Sequence, residues 1–171
     1  KPARAQSAHP VAGRSQLVQI DLAAMAAAGY VTPESKRVRI ADEFRVLKRP
    51  IIRNAQGTSG TKVGRGNRVM VTSALPREGK SFVSLNLAMS IATEVDSTVL
   101  LIDADLANPT LMKRLHLQEG KGLLDLLVDD RTDPSDVLLK TNVEKLSLLP
   151  AGTMHGRATE MLASDAMAKL V

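Results

Sequence analysis

The sequence predicts an α/β fold built on a mostly parallel sheet. Three observations carry this. Short apolar runs, Val99-Leu100-Leu101-Ile102 and Leu146-Ser147-Leu148-Leu149, read as strands covered on both faces. Helical patterns lie between them, giving a β-α-β-(α)-β-α order. Apolar residues make up 44% of 171 residues, while only three aromatics occur, so the core is aliphatic.

The first 16 residues hold Pro2, Pro10 and Gly13 without periodicity and read as a disordered basic lead-in. Residues 17–66 are expected to hold N-terminal helices and a glycine-rich connector. Asp21 is placed to cap a short helix that Gly29 stops. Ile40, Phe44, Leu47 and Ile51 recur at helical spacing, predicting an amphipathic helix over about 35–54 with a kink or stop at Pro50. Gly57, Gly60, Gly64 and Gly66 mark the connector. Residues 67–171 read as a nucleotide-binding domain. In it, Arg68-Val69-Met70-Val71-Thr72 is expected to be a buried strand, and residues 80–93 a helix. Short helices are expected over 111–115, 123–128 and 135–139, a strand over 146–149, and a final helix over 159–171.

Composition excludes several functions. There is no cysteine, so disulfides, thiolate zinc sites and cysteine nucleophiles are ruled out. Scarce aromatics argue against base-stacking nucleic-acid binders. Residues 1–68 carry 13 Lys/Arg against 4 Asp/Glu and residues 69–171 carry 10 against 14, but no helix shows a dense basic stripe, so no specific nucleic acid is expected. The three histidines are scattered, and the acids from Asp125 to Asp136 read as a solvated face.

Chemistry concentrates in Ala74-Leu75-Pro76-Arg77-Glu78-Gly79-Lys80-Ser81, a phosphate-loop pattern with alanine in the first glycine position. Such a loop curls so that successive N–H groups meet at the N-terminus of a helix and cradle an anion. Pro76, Arg77, Glu78, Gly79, Lys80, Ser81 and Phe82 are therefore the candidate ATP/ADP-binding residues. Lys80 would reach the β- and γ-phosphates, and Ser81 would hold Mg²⁺. The implied fold is a three-layer P-loop type. Asp103 and Asp105 end the next strand, where open parallel sheets bind ligands. Both are expected to face the same cleft as Lys80. One would hold Mg²⁺, with Asp103 the metal candidate, and the other would handle the acceptor proton.

These segments resemble the bacterial tyrosine autokinases of exopolysaccharide synthesis, in particular the branch associated with exosortase loci. The resemblance rests on the phosphate loop, Leu101-Ile102-Asp103-Ala104-Asp105-Leu106, Gly122-Leu123-Leu124-Asp125-Leu126-Leu127 and Leu148-Leu149-Pro150-Ala151-Gly152. It implies phosphoryl transfer from Mg·ATP to tyrosine, with Lys80, Asp103 and Asp105 as catalytic residues. It further implies a homo-oligomer through Asp42, Arg45 and Lys48, and a chain-length-determinant inner-membrane partner. The location it implies is cytoplasmic, peripheral at the inner face of the cell membrane. Arg77 stands where the family frequently has glycine, and Ala107 where it usually has arginine. No third strand ending in aspartate and no tyrosine-rich tail occur, which reads as a kinase domain incomplete at its C-terminus. Two alternatives compete with the kinase. One is a partitioning-type ATPase, disfavoured by Leu75 at the signature-lysine position; the other is a nucleotide-binding interaction module without catalysis.

Overall fold

The computed structural model describes residues 15–35, 39–57 and 64–171. The lead-in over 1–14 and connector residues 58–63 lie outside the described residues.

The chain forms β1 (Leu17–Val18), α1 (Leu22–Ala27), α2 (Arg39–Ala55), α3 (Lys80–Ala92) and β2 (Val99–Ile102). It continues through α4 (Leu111–Arg114), α5 (Leu123–Val128), α6 (Pro134–Val137), β3 (Leu139–Thr141) and β4 (Leu146–Leu149), then α7 (Ala158–Leu162) and α8 (Asp165–Leu170). The sheet order is β1-β3-β4-β2. β2 runs parallel to β4 and β1 parallel to β3, but β3 and β4 are antiparallel, so the sheet is mixed.

Successive β4 residues point to opposite faces, as strand geometry requires. Leu148 packs with Leu85, Met89 and Leu115, whereas Leu149 packs with Leu123, Leu124 and Val137. This places α3 on one side of the sheet and α5 with α7 on the other. α3 is apolar nearly all round, and residues 85–90 are all buried. Its far side meets Phe44 and Ala41 of α2. Its one buried amide, Asn86, is satisfied: Oδ1 accepts from the Val31 N–H at 2.6 Å and Nδ2 donates to the Phe82 carbonyl at 2.8 Å.

The N-terminal segment is stitched on by its own polar groups. Asp21 caps α1 by accepting the Ala24 N–H, and Gly29 ends the helix with φ +83°. Asn142 accepts the Ile20 N–H at 2.8 Å and donates to the Ile20 carbonyl at 3.0 Å.

Three expectations are corrected. Residues 68–72 are not a buried strand: no described strand runs alongside them, and Val69 and Met70 are 52% and 85% exposed. Apolar composition supplies side chains for a core but no partner for the backbone. α2 does not stop at Pro50; it runs on to Ala55. Pro50 withholds one N–H from the Val46 carbonyl, and Val46 lies on the exposed side, where water can replace the bond. The last helix is two, because Ser164 caps α8 afresh by accepting the Met167 N–H. β1 and β3 were not foreseen. Among the described residues, no helix is long and apolar enough to cross a membrane.

Candidate functional site

The candidate loop leads into α3. Gly79 takes the N-cap position with φ +95°, a left-handed conformation that glycine adopts without a Cβ penalty. Arg77 is also left-handed, with φ +69°. A non-glycine residue there costs about 1–2 kcal/mol of local strain, which a glycine would avoid. The loop braces itself: Glu78 Oε2 accepts the Leu75 N–H at 3.0 Å and the Ser73 hydroxyl donates to the Leu75 carbonyl at 3.0 Å. Pro76, Arg77 and Glu78 are exposed. Phe82 differs: its ring packs inward, 5.1 Å from the Tyr30 ring centroid, so only its backbone can serve a ligand.

Lys80 and Asp105 are brought together. The ammonium lies 3.0 Å from Asp105 Oδ2, with both side chains about one-third exposed. The strand end and the helix start therefore share one cleft. Asp103 is held otherwise. It is 9% exposed; its Oδ2 accepts the Leu111 N–H at 3.0 Å and its Oδ1 the Asp105 N–H at 3.2 Å. Burial pushes its carboxyl above the usual carboxylate range, and the Asp105 charge adds to this, against the N–H donors of Leu111, Asp105 and Thr110. Of the two acids, Asp105 thus meets Lys80, while Asp103 spends its oxygens on N–H groups of the loop after β2 and the start of α4.

Ser81 Oγ lies 3.4 Å from Thr110 Oγ1, and Thr110 Oγ1 lies 3.4 Å from Arg114 Nε. Sequence reading passed over Thr110 and Arg114. The one available signal was a hydroxyl residue directly before the apolar run that starts α4. The donor set fits Mg²⁺ with a polyphosphate: a serine hydroxyl, carboxylate oxygens, a lysine, and a helix N-terminus opened by a left-handed glycine. Among the described residues no group of three or more His, Asp or Glu is placed to hold a metal by side chains alone. Any ion here would need oxygens from its ligand, as Mg²⁺ commonly does. A 230 Å³ cavity beside Asp125 and His155 and a 400 Å³ cavity beside Arg45 and Thr93 both lie away from the loop, which opens directly to the surface.

The α2 residues divide. Asp42 and Arg45 pair with each other on the exposed face, near exposed Val46 and Leu47. Lys48 is only 5% exposed; its ammonium donates to the Ser90 carbonyl at 2.6 Å and to Thr93 Oγ1 at 3.2 Å, and lies 2.7 Å from Glu94 Oε1. Its expected place at a subunit contact is corrected: it fastens α2 to the C-terminal end of α3.

Asp125 is not part of a solvated face either. Its Oδ2 accepts the Gly122 N–H at 2.7 Å and the Thr153 N–H at 3.0 Å, joining α5 to the loop after β4. Burial alone would raise its carboxyl; these donors outweigh burial and hold it below the ordinary range.

No protein-family model matches the chain. It is 38% identical over 106 residues to the succinoglycan biosynthesis transport protein ExoP of Rhizobium meliloti (strain 1021), covering 60% of this chain and 13% of that one. It is 36% identical over 102 residues to the tyrosine-protein kinase YwqD of Bacillus subtilis (strain 168), covering 60% and 42%. With the tyrosine-protein kinase CpsD of Streptococcus agalactiae it shares 33% over 121 residues, covering 69% and 52%. The chain thus spans at most about half the length of these relatives. Among solved structures, the BceF tyrosine kinase domain superposes with a TM-score of 0.64 at 27% identity, covering 92% of this chain and 64% of that one. The kinase domain of the Escherichia coli tyrosine kinase ETK gives a TM-score of 0.63 at 21% identity, covering 94% and 63%, a likeness of fold.

Proposed function

We propose that this chain, a homologue of the bacterial tyrosine-protein kinases with the P-loop fold of their kinase domains, is the nucleotide-binding part of a protein-tyrosine kinase that serves exopolysaccharide synthesis. One observation supports it most: Lys80, at the start of a 13-residue helix behind a left-handed glycine, meets Asp105 at 3.0 Å across the cleft.

On this reading ATP and Mg²⁺ are the cofactors. The N–H groups over 77–82 receive the phosphates, and Lys80 exchanges Asp105 for phosphate oxygens. Ser81 supplies a hydroxyl ligand to the metal, whose positive charge offsets the charge of the transferring phosphoryl group. Asp105, released from Lys80, is positioned to accept the proton of an incoming tyrosine hydroxyl. Asp103 holds the loop after β2 against α4 and so fixes where Asp105 sits. Tyr30 is not the acceptor in this arrangement. It is 9% exposed, and its hydroxyl accepts from Arg114 at 3.2 Å.

The exposed Asp42 and Arg45 face of α2 is the surface offered to a second copy, and a chain-length-determinant membrane protein is the partner the relatives' roles suggest. The place of action is then the cytoplasmic side of the inner membrane. Titration calorimetry with Mg·ATP tests the core of this. Binding by the chain and its loss in Lys80→Ala are expected, with little label incorporated at Tyr30; equal affinity in the two proteins would overturn the assignment.

A further inference from the structure

Resting on the nucleotide-site reading above, the geometry points to Arg114 as a second phosphate-binding cation of that site, aimed by Thr110 and Tyr30. Thr110 occupies the N-cap position of α4, yet its hydroxyl makes no capping bond. A threonine in that position ordinarily spends its oxygen on its own helix. Here Asp103 does the work instead, accepting the Leu111 N–H from eight residues away. The Thr110 hydroxyl is thereby free to stand between Ser81 Oγ and Arg114 Nε, 3.4 Å from each.

Arg114 is gripped at its other end. Its Nη1 donates to the Tyr30 hydroxyl at 3.2 Å. The Tyr30 ring lies against Phe82 with the planes tilted by 44°, and Phe82 directly follows Ser81. An exposed arginine normally swings freely or pairs with an acid. This one is held by two neutral hydroxyls, and among the described residues no carboxylate pairs with it. A full positive charge is therefore fixed two short steps from the hydroxyl expected to hold the metal. Lys80, by contrast, already faces Asp105. A planar guanidinium offers paired donors that match two oxygens of a phosphate. The 3.4 Å spacings are those of a site before its ligand draws it together.

The test is titration calorimetry of the whole chain with Mg·ATP, alongside thermal unfolding. Arg114→Ala should weaken Mg·ATP about tenfold, the scale of one charge-assisted hydrogen bond, with the melting temperature unchanged. Arg114→Lys should recover part of that loss by restoring the charge. Tyr30→Phe, which keeps the ring on Phe82, should weaken binding about threefold by releasing the aim of the guanidinium. Wild-type affinity in Arg114→Ala, or Arg114→Lys no better than Arg114→Ala, would overturn the inference while Lys80→Ala still loses binding. Failure of the unsubstituted chain to bind, or no loss in Lys80→Ala, would remove the nucleotide reading and this inference with it.

Discussion

Lys48→Ala is expected to destabilise the chain by about 3 kcal/mol. The amine donates to the buried Ser90 carbonyl at 2.6 Å, a charged hydrogen bond worth about 1.5–3 kcal/mol. Its side chain is 6% exposed, so truncation also uncovers roughly three methylenes at about 0.8 kcal/mol each. The Glu94 ion pair adds little, about 0–1 kcal/mol, because that carboxylate is 42% exposed. Against these gains stands the desolvation of the ammonium, several kcal/mol, part of which truncation gives back. Lys48→Met keeps the stem and should cost about half as much. Asp42→Ala and Arg45→Ala remove an exposed pair and should each cost under about 0.5 kcal/mol. Urea unfolding followed by far-ultraviolet dichroism reads all four midpoints. If Lys48→Ala unfolds within about 0.5 kcal/mol of the parent, the fastening role of Lys48 is wrong. Sedimentation of the Arg45 variant then reports on self-association separately from stability.

Gly122→Ala should cost at least about 3 kcal/mol, lowering the melting temperature by about 6–12 °C. A Cβ there would stand 2.1 Å from the Pro150 carbonyl oxygen and 2.8 Å from the Gly152 nitrogen, both backbone atoms that cannot rotate away. A melting temperature within 2 °C of the parent, on the order of a 1 kcal/mol effect, would contradict this. Asp125 should make stability fall in acid. Its carboxyl titrates lower when folded than when unfolded, so its contribution is complete above the ordinary aspartate range and is lost as pH falls through the lower, folded value. Asp125→Ala should flatten that acid limb and cost about 2 kcal/mol at neutral pH; an unaltered limb would show that its two N–H contacts do not matter.

Much of the frame was legible. β2 and β4 announced themselves as apolar runs, and α3 and α5 kept the extents expected of them, because each buries its side chains over several residues. β1 and β3 were not legible: they span two and three residues and exist through pairing, which no local pattern records. Residues 68–72 failed for the converse reason, having strand composition but no described edge to join. Lys48 was misplaced although a signal existed. It lies four residues after Phe44, on the same helical stripe, and that stripe faces α3. At the site, the Lys80–Asp105 approach could be anticipated from the motifs. The inward turn of Asp103 could not, since it depends on an N–H eight residues ahead that only the folded loop delivers.

Tyr30 has an optical consequence. The chain has one tyrosine and no tryptophan, so emission excited to the red of phenylalanine absorption comes from a single ring. That ring rests on the first turn of α3, and its hydroxyl sits on Arg114. Any rearrangement of the phosphate loop that shifts Phe82 or draws Arg114 away changes what surrounds the fluorophore. The chain therefore carries a built-in, label-free reporter at the junction of its N-terminal segment and its candidate nucleotide site. Ligand occupancy and local opening can be read there from unmodified protein, with no second emitter to subtract.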